Sequence, residues 1–385
     1  MFVLLLTIFV DMVGFGIILP ILPFYAQAYD ASTVQITLLV SAHSAAQIVS
    51  SLFWGRLSDR HGRKVNLLLT LTGGALAYVW FGFAGSLASL FLARGLSGAM
   101  AGNIAVAQAY LADISTPEER AGAMGRLGAA FGLGFVVGPA LGALLIGPDP
   151  GAADFARPCL VAAAISILAV PLGMILLREP AWRRTRPSGR ADFRRLRAAV
   201  LANGIPNIIG LNLLVTLSFT TLMALFPLWS QARLGWGARE VSFAYAYIGI
   251  LVAFLQGVLV GPLTKTFGAE RVLFLGAVSL STGLLSAVLV DNVAAFALNT
   301  ILLCMGTSFC HPTLTAMISR RAAVDHQGMV MGAANSVASL GRIASPPMGG
   351  LLFTHMGPNW PLLAAGLVML PVVAGAAWMS LRPRP

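Results

Sequence analysis

This sequence is short of charge. Only 10% of its 385 residues are Asp, Glu, Lys or Arg, while 57% are hydrophobic. Soluble domains carry about 25% charged residues, so the two or three globular domains that the length alone would suggest cannot be wrapped in water. Cysteine is sparser still. Cys159, Cys304 and Cys310 sit in apolar runs at no metal-ligand spacing, and an odd, thin set excludes a disulfide framework. A phosphate-cradling P-loop is absent, which removes a self-contained ATP-driven pump, and no HExxH, CxxC pair or Gly-x-Ser-x-Gly nucleophile points to an enzyme. No metal or cofactor is expected. The net charge of +11 would fit a nucleic-acid binder, but a basic groove needs polar surface around it. A polytopic membrane protein remains.

What is present agrees with that class. Mostly apolar stretches of the ~20 residues a span requires run over 2–26, 34–54, 65–84, 87–113, 121–147, 157–177, 203–229, 240–263, 271–290, 293–318, 328–353 and 359–381. The expected fold is an all-α membrane protein with twelve transmembrane helices in two six-helix bundles. Residues 1–177 form one bundle and 203–385 the other, joined by the Arg-rich linker 178–202. The first span lacks a cleavage site of small residues and reads as retained helix rather than signal peptide. With the N-terminus in the cytoplasm, 20 of the 25 Lys and Arg fall in cytoplasmic segments and three in outer loops. That asymmetry obeys the positive-inside rule and places both termini in the cytoplasm, in an inner membrane. The positive charge is then a trace of insertion into a lipid bilayer, not of a nucleic-acid partner.

A weak internal duplication supports two halves of like orientation. Gly55-Arg-Leu-Ser-Asp-Arg-His-Gly62 aligns with Gly261-Pro-Leu-Thr-Lys-Thr-Phe-Gly268 at an offset of 206. Gly134, Pro139 and Gly142 align with Gly341, Pro346 and Gly349 at 207, as Met124-Gly125 does with Met331-Gly332. Halves separated by six spans are expected to be related by an axis along the membrane normal, with a substrate site between them near the midplane.

Three motifs carry mechanism. Gly55-Arg56-Leu57-Ser58-Asp59-Arg60-His61-Gly62-Arg63-Lys64, between spans 2 and 3, reads as a two-glycine tight turn presenting one carboxylate among cations. Here the sequence resembles the major facilitator superfamily, whose loop motif it matches in full. The resemblance implies that Asp59 and Arg63, with Gly55, Arg60 and Gly62, form a conformational latch facing the N-terminus of span 11, where a helix dipole favours negative charge. Asp113, at the cytoplasmic end of span 4, is expected to join the Arg63 network. The second copy has Lys265 in place of the acid, so latching is expected to be asymmetric. Span 5 carries Gly134-Phe-Val-Val-Gly138-Pro139-Ala-Leu-Gly142, whose glycines share one face and admit a close neighbour. It resembles the superfamily's antiporter motif, found mainly in exporters. Span 4 carries Arg94-Gly, resembling a motif associated with proton coupling. An Arg at that depth costs about 2.5–3.5 kcal/mol on insertion scales, so it faces a cavity or partner unless it snorkels to the outer surface.

Asp11 is the only acid well inside a span, and a proton-driven carrier needs an acid that can take up a proton. Its segment, with Gly14-Phe-Gly16 and Pro20-x-x-Pro23, resembles the first span of tetracycline/proton antiporters. Counted from opposite helix ends at ~1.5 Å per residue, Asp11 and Arg94 stand roughly 15 Å apart along the normal and need not touch. The second half has no such acid. Candidates for a substrate cavity are Gln47, Asn103, Gln108, Asn212, Phe226, Gln256, His311, Asn335 and Arg342. Gln256 and the Ser339-Leu-Gly341-Arg342 stretch also resemble the tetracycline-exporter group. The resemblance implies a monomeric drug:proton antiporter exporting a small amphipathic, tetracycline-like compound. A proton-coupled importer or an exporter of a metabolite such as a sugar or siderophore stays open, as does a non-transporting scaffold or sensor.

Overall fold

The computed structural model describes residues 1–116, 119–147, 151–179, 200–201, 204–323 and 326–381. Linker residues 180–199 lie outside them. Among the described residues the chain is helical, with no strand. The helices are α1 (Phe2–Gln27), α2 (Thr33–His61), α3 (Arg63–Gly82), α4 (Leu87–Ile114), α5 (Arg120–Leu145) and α6 (Ala156–Leu176). They continue with α7 (Ile205–Leu234), α8 (Ala238–Phe267), α9 (Ala269–Leu289), α10 (Val293–Arg321), α11 (Gln327–Met356) and α12 (Trp360–Leu381). Eleven are long and apolar enough to cross a membrane; α11 has the length but not the apolarity. This is the expected two-bundle fold.

Local chemistry sets several boundaries. Ser32 and Gln35 close a capping box at the start of α2. Ser86 and Asn292 cap α4 and α10 by accepting from Ser89 N and Ala295 N. Gly62 ends α2 at φ 96°, ψ 154°. Gly268 ends α8 at φ 88°, ψ 158°, so the duplicated loops share the same left-handed break.

Contacts divide the chain into two compact units: Met1–Arg184 with Gly235–Ala253, and Thr185–Leu234 with Phe254–Pro385. The first half of α8 therefore packs in the first unit, where a Cβ on Gly249 would stand 2.9 Å from Val136 Cγ2. Lipid supplies no hydrophobic drive between helices, so close packing at small residues does the work. In the second unit a Cβ on Gly306 would meet the Leu280 backbone at 2.6 Å, and one on Gly276 the Phe309 Cβ at 2.7 Å. Outward surfaces carry apolar side chains such as Val49, Leu52, Leu168, Ile175, Leu298 and Leu340, all exposed.

Candidate functional site

Asp11 lies in the body of α1, half-buried. Asn103 is the side chain that interacts with its carboxylate, and the Cβ position of Gly74 in α3 stands 3.8 Å from its Oδ1. The position of Asn103 follows from a break in α4 that sequence periodicity hides. The helix runs Leu87–Met100, turns at Ala101-Gly102, and resumes at Asn103–Ile114. Two carbonyls at this break are met by α2: Ser50 Oγ donates to Gly98 O at 3.1 Å and Trp54 Nε1 to Ala99 O at 2.7 Å. A Cβ on Gly102 would stand 2.6 Å from the Trp54 ring, which explains the glycine. Such breaks are tolerated in a membrane only where a neighbour re-satisfies the backbone. Of the other first-half candidates, Asn103 is buried, Gln47 half-buried and Gln108 exposed.

Arg94 does not snorkel. It is 1% exposed, its guanidinium carbon sits 5.6 Å from the Phe15 ring centre, and its Nε has no partner among the described residues. His43 of α2 lies beside it, interacting with Arg94 and 5.6 Å from Phe15, ring to ring. No ion pair joins Arg94 to Asp11 among the described residues, as the separation along the normal anticipated. Tyr78 of α3 interacts electrostatically with both. The sequence reading passed over His43; a histidine within the apolar body of α2 was its only signal. A buried cation without a carboxylate is a poor source of stability, and apolar replacement of buried charge is often neutral or stabilising by about 1–4 kcal/mol. Arg94→Met is therefore expected to match or exceed the native protein in thermal unfolding while losing coupled transport. A clear loss of stability would make Arg94 structural.

The span 5 glycines divide sharply. A Cβ on Gly134 would meet Met12 Cβ at 2.5 Å and Phe9 O at 2.9 Å. One on Gly138 would meet Val13 O at 2.5 Å and Gly16 Cα at 2.9 Å, and one on Gly16 would meet Pro139 Cδ at 2.9 Å. Thus α5 presses its backbone onto the stretch of α1 that carries Asp11. Gly142 has ordinary contact with Ile17 at 3.4 Å, and Gly128 and Gly132 face open space.

At the α2–α3 turn the two-glycine reading needs correction. Gly55 lies inside α2 with nothing within 4 Å, and Gly62 alone makes the turn. Arg63 organises the cluster. It pairs with Asp59 at 2.6 Å and Asp113 at 2.9 Å, and donates to Ser58 Oγ at 2.6 Å. Arg60 is exposed. A further acid missed in the sequence completes the turn: Glu179, just past α6, accepts from the backbone N–H groups of Arg63 at 2.5 Å and Lys64 at 2.9 Å. Those orphan donors at the start of α3 are what a carboxylate best satisfies. Opposite outcomes follow for the two glycines. Gly62→Ala forces a left-handed backbone that costs about 1–2 kcal/mol and pushes on Glu179. Gly55→Ala improves an open helical position by up to ~1 kcal/mol. Thermal unfolding should fall for the first and hold or rise for the second; equal behaviour would refute the turn geometry.

In the second unit Asn212 is buried in α7 and Asn335 exposed on α11. Gln256 lies in a π-helical turn of α8, Leu255–Leu259, a feature common at functional sites. Phe226 is taken up by packing: 4% exposed, it stacks on Trp229 and Phe296 at 6.5 and 5.7 Å, so it belongs to the core rather than to an open cavity wall. His311 meets Phe219 edge-on at 5.3 Å, feels the charge of Arg342, and has no partner for Nε2 among the described residues. Arg342 donates to Ser339 Oγ at 2.5 Å. A cavity of about 1540 Å³ near Asn207, Arg271, Arg321 and Trp378 contains none of the candidates.

The model of the Major Facilitator Superfamily matches residues 4–260 and 208–385. The tetracycline resistance protein, class C, of Escherichia coli is 30% identical over 392 residues, covering 98% of this chain and 96% of that protein. Multidrug resistance protein 2 of Bacillus subtilis (strain 168) is 29% identical over 377 residues, covering 96% and 92%. A bacterial homolog of the human lysosomal transporter Spinster, solved inward-facing and occupied, superposes with a TM-score of 0.80 at 15% identity, covering 98% and 95%.

Proposed function

The chain belongs to the major facilitator superfamily and is a multi-pass membrane transporter, not an enzyme; from that premise we propose that it exports a small amphipathic drug-like compound in exchange for protons. The observation that carries this reading is the setting of Asp11. It is the only acid well inside a span, and Asn103, at the break in α4, interacts with it. Gly134 and Gly138 of α5 clamp the same stretch of α1. A protonatable group on a helix whose neighbour is in backbone contact is suited to convert proton uptake into helix movement. Asp11 takes its proton from the outside and gives it up inwards as substrate leaves, by alternating access. Residues 1–177 and 203–385 are the two halves of that cycle, 178–202 their connection, and Asp59 with Arg63 the latch. The transporter acts as a monomer in an inner membrane with both termini cytoplasmic. Export rather than import is favoured by the Gly134–Gly142 motif, and the names of the class C tetracycline and multidrug relatives point to drug-like substrates.

Inverted vesicles with an imposed pH gradient test this. Substrate-evoked proton release that vanishes in Asp11→Asn is the expected result. Uptake of substrate together with protons would reverse the direction, and no linked flux across a broad drug panel would sink the antiporter.

A further inference from the structure

Among the twelve spanning helices only α11 is too polar to qualify as an ordinary apolar span. Its polarity is concentrated on one face. Gly328, Gly332, Asn335, Ser339 and Arg342 recur at spacings of four and three residues, the period of a single helical stripe. Nothing lies within 4 Å of a Cβ built on Gly328 or Gly332, and Asn335 is exposed. Leu340, on the far side, is 65% exposed and suited to lipid. A stripe bearing an Asn and an Arg at membrane depth cannot face acyl chains, so it borders water or a ligand.

Arg342 is the one charged side chain on that stripe. Arg342 donates to Ser339 of its own helix and has no carboxylate partner among the described residues. His311 of α10 stands in its electrostatic reach, with no partner for Nε2 among the described residues. Every acid of the second unit, Asp192, Glu270, Asp291 and Asp325, falls outside the apolar stretches. Building on the export reading above, we infer that Arg342 and His311 form a subsite for an anionic oxygen, so that the substrate is an organic anion or a zwitterion presenting a carboxylate or enolate rather than a lipophilic cation. A guanidinium and an imidazole give charge-assisted donors to such an oxygen, whereas a cation would meet like charge. Asp11, the one carboxylate well inside a span, already interacts with Asn103 and belongs to the proton.

Proteoliposomes containing the full chain, under an imposed pH gradient, are offered three tracers of similar size: an aryl carboxylate, its neutral amide and an aryl quaternary ammonium. Saturable flux of the carboxylate is expected, with a KM about tenfold higher for the amide, as loss of one ionic contact implies, and no flux of the ammonium. Arg342→Gln and His311→Gln should each raise the carboxylate KM about tenfold without changing that of the amide, and Arg342→Lys should retain most of the preference. Ligand-induced thermal shifts give a second readout that needs no transport: carboxylate stabilises the native protein but not Arg342→Gln. Asp11-dependent flux of the ammonium in preference to the carboxylate would overturn the anion subsite and leave the antiporter standing. An Arg342-dependent thermal shift without proton-linked flux would keep the subsite and sink the antiporter. Absence of both would overturn both.

Discussion

An Asp11→Asn protein is expected to insert, to unfold at or above the native temperature, and to exchange substrate down its gradient, yet to lose all uphill export driven by a pH gradient. Asn is nearly isosteric with Asp and keeps a carbonyl oxygen facing Asn103. Removing an ionisable group from a helix interior relieves desolvation rather than adding to it. What disappears is the proton. The split between exchange and uphill flux is the informative measurement, because a merely misfolded protein loses both. Asp11→Glu keeps the acid but carries it toward Gly74, whose Cβ position is only 3.8 Å from the present Oδ1, so partial coupling is expected. Full uphill export by Asp11→Asn would move the proton site elsewhere, with His43 the next group to examine.

The second large effect is steric. Gly138→Val is expected to prevent accumulation of folded protein or to lower its unfolding temperature by roughly 1–4 °C, the equivalent in a chain of 385 residues of the ~1–3 kcal/mol that overpacking costs. The atoms in the way are Val13 O and Gly16 Cα. Both are backbone, so neither can rotate aside, and α1 would have to move bodily with Asp11 on it. Gly132→Ala, on the same helix but in open space, is expected to be silent, and Gly142→Ala nearly so. Thermal unfolding in detergent, with flux measured on whatever folds, separates the three. Equal tolerance at 138 and 132 would mean that α1 and α5 are not in backbone contact, and the proposed transmission from Asp11 would fail with it.

Much of this architecture is legible before any coordinates exist, since a lipid solvent leaves the chain few choices. A bilayer demands about 20 apolar residues in a helix, and insertion sorts Lys and Arg to one side. The loop at Gly62 and its copy at Gly268 could likewise be aligned by eye, and both adopt the same break. Less legible were features in which one helix answers another. The interruption of α4 at Gly102 depends on Ser50 and Trp54 of α2 supplying donors, residues some fifty positions away. Gly134, Gly138 and Gly142 look equivalent on a helical wheel, but α1 touches the first two far more closely than the third. Glu179 appears in sequence as the start of a basic linker and turns out to hold the α3 N-terminus. The polarity of α11 was visible as separate candidates, Asn335 and Arg342, before it was visible as a face.

The sequence by itself determined that the chain is helical, membrane-spanning and a member of its superfamily, because hydrophobic length, charge asymmetry and a complete loop motif are local quantities. It also marked Asp11 and Arg94, since ionisable groups at such depth are too costly to be incidental. Only the tertiary structure decided what each of them faces. Asp11 received Asn103, Arg94 received Phe15 and His43 instead of a carboxylate, and Phe226 went to the core. The physical reason is that a buried polar atom's partner is chosen by packing between distant helices, where an ångström of approach, set by a glycine or a broken turn, decides which groups meet.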